Sequence, residues 1–229
     1  MDALKVVSFL NRRADFSLPA FSEYWRTIHR AHALTLVEAG FMQGYVQNHA
    51  VAAELEGLPA MADGSPELWI DGLDTLERLI GSREYQEGAG PDEANFVTPP
   101  VLACVTRERI VQEAREPSAM PGAIKLMLVV SRDRQASAAD FRERWLRGDG
   151  GPLLAGRPLR LTRQAVVEAD GSDAFDGVEC SWWPDLESLR EAWQRRDPAA
   201  GRELIAADLL RGLLVREEVV VPPPLPGGG

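Results

Sequence analysis

The chain has 229 residues, a formal net charge of −10 and a sequence pI near 4.9. With 45% hydrophobic and 26% charged residues it has the make-up of a globular protein, long enough for one large domain or two of about 100 residues each. So acidic a surface repels polyanions, which argues against nucleic acid as a partner, and no apolar run is long enough to cross a membrane.

Residues 1–5 lack a basic region ahead of an apolar run, so no secretory leader is expected and a reducing cytoplasm is the expected location. The first element is a strand over residues 5–10, a short run rich in Val and Phe. Ser17 is a plausible N-cap, with Pro19 in the first turn of the helix that follows. Phe21, Trp25, Ile28, His32 and Leu36 recur at spacings of three and four, so they are expected to form the buried stripe of that helix, with His29 at its edge. Gly40 ends it. Residues 44–49 form a second strand, and Asp63-Gly64 marks a turn into a third over 67–70. A helix over 73–82 and a strand over 101–111 complete the set.

The order strand, helix, strand, strand, helix, strand is that of a ferredoxin-like split βαβ unit, in which both helices cover one face of an antiparallel sheet. The pattern then returns. Lys5 and Lys125, Phe21 and Phe141, and Trp25 and Trp145 share one offset of 120 residues. Asp63-Gly64 through Trp69 resembles Asp176-Gly177 through Trp182, with Glu179 as a looser counterpart of Glu67, and each half closes on a similar strand. The expected fold class is therefore α+β: two tandem ferredoxin-like domains, residues 1–114 and 123–221, packed sheet to sheet as a pseudo-dimeric barrel within one chain. A polar link over 115–122 joins them. The tail 222–229 holds only Pro, Leu and Gly, and is expected to be disordered. Association of two such chains into a further homodimer is left open.

Three motifs carry a family resemblance. Phe21-Ser22-Glu23-Tyr24-Trp25-Arg26-Thr27-Ile28-His29 resembles the EthD-type signature, an aromatic-rich helix leading through Tyr-Trp-Arg to a His. The proline that usually follows at a spacing of two is replaced by Ala31, so the helix is expected to run on. Tyr45-Val46-Gln47-Asn48-His49 and Glu67-Leu68-Trp69 are similar to two strands of the same family. The resemblance covers the first half well and the second weakly. It implies an EthD-type dimeric α+β barrel, relatives of which act in ether or lactone degradation and in dehydration or cyclisation of aromatic polyketides, many without metal or organic cofactor.

All three histidines, His29, His32 and His49, lie in the first half, so imidazole chemistry belongs there alone, and the second half is expected to be degenerate. His29 and His49 are the candidate acid or base, and His32 fits a core role. Gln47 is placed to hydrogen-bond a carbonyl or enolate. Glu67 would need a charged partner such as His29, His49 or Arg26, and would orient the histidine. Tyr24, Trp25, Tyr45 and Trp69 offer walls for a small hydrophobic substrate. No nucleophile elbow, P-loop or His-Glu-x-x-His pair is present. Cys104 and Cys180 have no CxxC spacing, and no metal site is expected. The leading expectation is a cofactor-independent dehydratase, cyclase or isomerase acting by acid–base chemistry on a hydrophobic carbonyl compound. A non-catalytic small-molecule binding protein and an oxygenase of related barrel families stand beside it.

Overall fold

The computed structural model describes residues 3–115, 120–169, 175–206 and 211–224. Part of the expected link (116–119) and most of the expected tail (225–229) lie outside the described residues. In chain order the elements are β1 (Leu4–Arg12), α1 (Leu18–Tyr24), α2 (Arg30–Glu38), β2 (Gly44–Ala50), β3 (Gly64–Ile70), α3 (Leu73–Ile80), α4 (Gly90–Phe96), β4 (Val97–Glu113), β5 (Ile124–Val130), α5 (Ala138–Arg147), β6 (Arg160–Ala169), β7 (Gly177–Trp183), α6 (Leu186–Gln194) and β8 (Arg211–Val221). A π-helical turn, Trp25–His29, joins α1 to α2, and a second, Tyr85–Ala89, leads into α4. Among the described residues no helix is long and apolar enough to cross a membrane.

The hydrogen-bonded strand order is β1-β3-β2-β8-β5-β7-β6-β4, and it closes on itself as one eight-stranded barrel. The pairs β1–β3, β2–β3, β5–β7, β5–β8 and β6–β7 are antiparallel. This corrects the expectation of two tandem ferredoxin-like domains packed sheet to sheet. The reason lies in two strand lengths: β4 has 17 residues and β8 has 11, against seven in each of β2, β3, β5 and β7. A strand that outruns one neighbour offers its remaining N–H and C=O groups to a second. Closure then leaves no sheet edge unpaired.

The chain divides into two compact units, Met1–Ala50 with Ala62–Val105 and Glu217–Gly229, and Val51–Met61 with Thr106–Arg216. In the first unit one apolar cluster gathers Leu10, Phe21, Trp25, Phe96 and Val97, and another gathers Ala33, Leu36, Met42, Tyr45 and Leu79. Leu68 packs on the second cluster, so Leu68 and Ile70 face the helices, while Glu67 and Trp69, one residue out of phase, take the opposite sheet face. In the second unit one apolar cluster joins Phe141, Trp145, Leu189 and Trp193 to Ile124, Leu126 and Leu128 of β5. Each fully buried aromatic or leucine side chain contributes about 1.5–3 kcal/mol of transfer free energy, which makes these clusters the main hold on the helices. Cys104 and Cys180 are both buried thiols.

Candidate functional site

Ser17 caps α1 as expected, its hydroxyl oxygen accepting from the Ala20 N–H at 3.3 Å, and Gly40 ends α2 in the left-handed region at φ 80°. The expected stripe does not hold between these ends. Within the π turn a residue advances less about the axis, so the buried face recurs every four residues: Phe21, Trp25, His29 and Ala33, then Leu36. Ile28 is pushed out to 48% exposure and His32 is only half-buried, while His29 is 9% exposed and faces inward. The three-and-four spacing could not show this, because it assumes an unbroken α-helix.

His29 Nδ1 lies 2.9 Å from Asp92 Oδ2. A carboxylate only accepts, so Nδ1 carries the hydrogen and Nε2 is left as a bare lone pair. Asp92 is itself anchored: the Tyr24 hydroxyl donates to Oδ1 at 2.7 Å and Asn95 Nδ2 at 3.1 Å. Burial would raise the Asp92 carboxyl, but the hydrogen bonds from Tyr24, Asn95 and His29 outweigh it and hold the group below its ordinary value. Burial pushes the His29 imidazole below the ordinary histidine value, and Asp92 pulls it part of the way back. Phe96 packs beside the pair, 4.9 Å from the His29 ring and 5.2 Å from the Tyr24 ring. The sequence reading missed α4, and with it Asp92 and Asn95. A signal was there: Pro91 in the first turn followed by Asp92 and Glu93 is a helix start.

A second network starts from the backbone carbonyl of Trp25. It accepts from Gln47 Nε2 at 3.1 Å, and the same nitrogen donates to the Tyr45 hydroxyl at 2.8 Å, which also accepts from Trp25 Nε1 at 3.0 Å. Gln47 Oε1 therefore faces His49 Nε2 at 3.2 Å and accepts from it. With both N–H groups engaged, Gln47 has none left for a substrate carbonyl, contrary to expectation. His49 packs on Trp25, with ring centroids 4.7 Å apart, and its Nδ1 is buried with no hydrogen-bond partner. An unpaired buried acceptor costs about 1–3 kcal/mol. Glu218 of β8 accepts from Arg26 Nε at 2.7 Å and Arg30 Nη2 at 2.8 Å, with His49 Nε2 3.9 Å away. Burial first, then Arg26 and Arg30 against the opposing Glu218, push His49 down to about 4. Burial holds the Tyr45 phenol up at about 12.

Tyr24, Trp25, Tyr45, Gln47, His29 and His49 thus all stand on the helix-covered face of the sheet. Glu67 and Trp69 do not. Glu67 pairs with Lys5 at 3.1 Å and accepts from Asn48 at 3.2 Å, and the Lys5 ammonium lies 4.4 Å from the Trp69 ring centroid. The expected partnership of Glu67 with a histidine or Arg26 is replaced by Lys5, because strand alternation sends Glu67 through to the other side. Among the described residues no group of three or more His, Cys, Asp or Glu is placed to hold a metal ion.

The second unit fills the corresponding positions differently. Strand register sets Gly177 opposite Ala165 where the first unit has Gly64 opposite His49, and Glu179 opposite Arg163 where the first has Pro66 opposite Gln47. Glu179 is therefore the counterpart of Pro66, and Cys180 that of Glu67, one residue away from the match read in the sequence. Arg163 Nε meets Glu179 Oε2 at 3.0 Å, its guanidinium stacks on Trp145 at 3.9 Å, and it donates to the carbonyls of Trp145, Asp149 and Gly151. Helix α5 has ended by the position of His29, at Gly148 with φ 95°. A buried, fully engaged ion pair stands where the first unit has Gln47 and Pro66, and Ala165 takes the place of His49.

Comparison with known proteins adds a family model and a set of folds. Residues 13–100 match the EthD domain. No curated protein matches the chain in sequence. Among solved structures, an anthrone oxidase-like protein is similar with a TM-score of 0.60 and 11% identity, covering 96% of this chain and 94% of its own. A candidate monooxygenase from Lactobacillus acidophilus NCFM gives 0.53 and 8%, over 96% and 97% of the two chains. Another, from Fusobacterium nucleatum subsp. nucleatum ATCC 25586, gives 0.51 and 8%, over 96% and 95%. At these identities the likeness is one of fold, and it runs the whole length of a single chain.

Proposed function

The chain carries an EthD domain over residues 13–100, and from that premise we propose that it is an oxygenase-type enzyme acting on a hydrophobic aromatic carbonyl compound, with His29 as the base. The observation that carries this reading is the His29–Asp92 pair at 2.9 Å. Its geometry leaves the Nε2 lone pair available while Asp92 stands ready to stabilise the imidazolium that forms on proton uptake. A hydrogen bond to a charged group of this kind contributes about 1.5–3 kcal/mol. Tyr24 and Asn95 hold Asp92 so that it need not reorganise when the proton arrives. Tyr24 and Phe96 supply an aromatic wall beside the base.

The step assigned to the protein is removal of a proton from a carbon that an aromatic ketone acidifies, either directly beside the carbonyl or, as in anthrone, through the conjugated rings. The enolate so formed is electron-rich and is the species that dioxygen oxidises. The dehydratase, cyclase and isomerase outcomes share this first step; the names of the structural neighbours, an anthrone oxidase-like protein and two candidate monooxygenases, favour oxygen over them. Glu67, on the other face of the sheet, has no part in it.

The test uses anthrone as probe: one anthrone and one dioxygen give one anthraquinone and one water. Oxygen uptake should match anthraquinone formation, exceed the buffer rate, and fall to that rate in His29→Ala with the fold intact. A wild-type protein that binds anthrone but oxidises it no faster than buffer would favour the non-catalytic binding reading and end this one.

A further inference from the structure

The second unit leaves a recess beside α6. The Asp133 N–H donates to the Leu204 carbonyl at 2.9 Å as the Arg13 N–H donates to that of Phe96, so residues 196–204 take the place that α4 has in the first unit. They form no helix there, and the chain turns at Gly201 with φ 73°. The space left is about 30 Å³, floored by the buried Leu128, Leu153, Leu154, Trp193 and Ile205. It has room for about two or three water-sized groups. Arg196, Arg202 and Asp197 also line it. The Trp193 indole is fixed by its Nε1, which donates to the Glu56 carbonyl at 2.9 Å. The Arg196 guanidinium lies 3.8 Å from the centroid of that ring, and its Nη1 donates to the Trp193 carbonyl at 2.8 Å. Arg202 is anchored in the same way, Nε donating to the Pro198 carbonyl at 2.9 Å. Among the described residues neither arginine pairs with a carboxylate, although acidic residues outnumber basic ones 35 to 25 and the adjacent Arg195 pairs with Glu191 at 2.8 Å. Asp197 Oδ1 accepts from the Ala199 N–H at 2.8 Å.

We infer that this recess binds a short-chain monocarboxylate, its carboxylate on Arg196 and Arg202 and its alkyl tail on the leucine floor. Three features select that ligand. A guanidinium is a planar fork of N–H groups that matches a carboxylate, and the Arg196 fork is held on the Trp193 ring with Nε and Nη2 unused among the described residues, so little freedom is lost on binding. Two cations against the single Asp197 carboxylate leave the described lining net positive, which favours an anion and repels an ammonium. The floor presents leucines, an isoleucine and an indole whose N–H is already engaged, so the buried part of the ligand must be apolar. The volume limits that part to about two or three carbons. The site lies within the second unit and does not depend on His29 acting as a base.

The experiment uses the full chain labelled with 15N at constant ionic strength, with sodium butyrate as probe and 1-butanol, n-butylammonium and inorganic phosphate as controls. Butyrate should move the Arg196 Nε–H and Trp193 indole resonances saturably, with a Kd on the order of 1 mM. Butanol lacks the charge, butylammonium reverses it and phosphate lacks the tail, so each should bind at least about tenfold more weakly. Arg196→Gln should weaken butyrate about tenfold, read at the Trp193 indole. Arg202→Gln, at an exposed position, should weaken it about two- to fivefold. Ala200→Leu, which adds a side chain to the lining and keeps both arginines, should abolish the response; if that variant does not fold, the two arginine variants decide. Resonances unmoved by butyrate, a control that binds as tightly as butyrate, full affinity in both arginine variants, or full affinity in a folded Ala200→Leu would each overturn the proposal.

Discussion

Asp92 accepts a hydrogen bond from His29 Nδ1 at 2.9 Å across 63 positions of sequence, and in doing so it determines which nitrogen of the imidazole is free. Asp92→Asn tests that relation. Tyr24 would keep the amide oxygen, so the amide nitrogen would face His29 and force the hydrogen onto Nε2. The expected result is a fall in kcat of about 10²-fold or more, with a change in Tm of only a few degrees. Activity within twofold of wild type would remove His29 from the mechanism.

Gly64 sits opposite His49 and leaves room for Trp25. A Cβ there would meet Trp25 Cζ3 at 2.6 Å, and the indole is held on its other sides by Phe21 and Tyr45. Gly64→Ala should therefore destabilise the protein by about 1–3 kcal/mol in urea unfolding. Gly72→Ala, where nothing lies within 4 Å of the added carbon, should stay within about 0.5 kcal/mol. Equal stabilities for the two variants would contradict the packing described.

His49 makes stability depend on pH. Its folded value of about 4 lies below the ordinary 6.5, so between these values the unfolded chain binds more protons than the folded one. The stability due to a neutral His49 is complete above pH 6.5 and is lost as pH falls toward 4, a change of ~3 kcal/mol at most. Denaturant titrations at several pH values should show a steeper acid loss for wild type than for His49→Ala. Parallel curves would mean that His49 is not held neutral by its surroundings.

The Arg163–Glu179 pair answers a different question, whether the second unit's polar centre is structural. Arg163 is fully buried and reaches three carbonyls besides Glu179; Glu179 also accepts from the Leu153 N–H at 2.9 Å. Burial pushes the Glu179 carboxyl up, and Arg163 and Leu153 oppose it. Arg163→Met should cost about 3–5 kcal/mol, and adding Glu179→Leu should recover part of that, because the lone buried carboxylate is then gone. Chemical denaturation of both variants measures this. A single variant as stable as wild type would leave the pair without a structural role.

Much of the local order was legible. Ser17, Pro19 and Gly40 marked the ends of the first helical segment, and Asp63-Gly64 marked the entry to β3, which begins at Gly64, three residues before the expected 67. The shared offset of Lys5, Phe21 and Trp25 with Lys125, Phe141 and Trp145 placed matching strands and helices in both halves. Three things were not legible. The π turn is a hydrogen-bonding choice with no residue signature here, so His29 and Ile28 exchanged places in the reading. Asp92 is brought to His29 by helix packing, which no spacing encodes. Glu179 looked like Glu67 because the composition matched, while the strand register differs by one residue and sends the two carboxylates to opposite faces.

The order of residues by itself settled where several strands and helices lie, that the pattern occurs twice, and that imidazoles belong to one occurrence only, because caps, turn residues and alternation act over a few neighbouring positions. Tertiary structure decided that the strands close into one ring and which face each polar side chain takes. It also decided which nitrogen of His29 and of His49 bears hydrogen. Those outcomes depend on partners distant in the chain: the surplus length of β4 and β8, the Asp92 carboxylate, and the Trp25 carbonyl that orients Gln47.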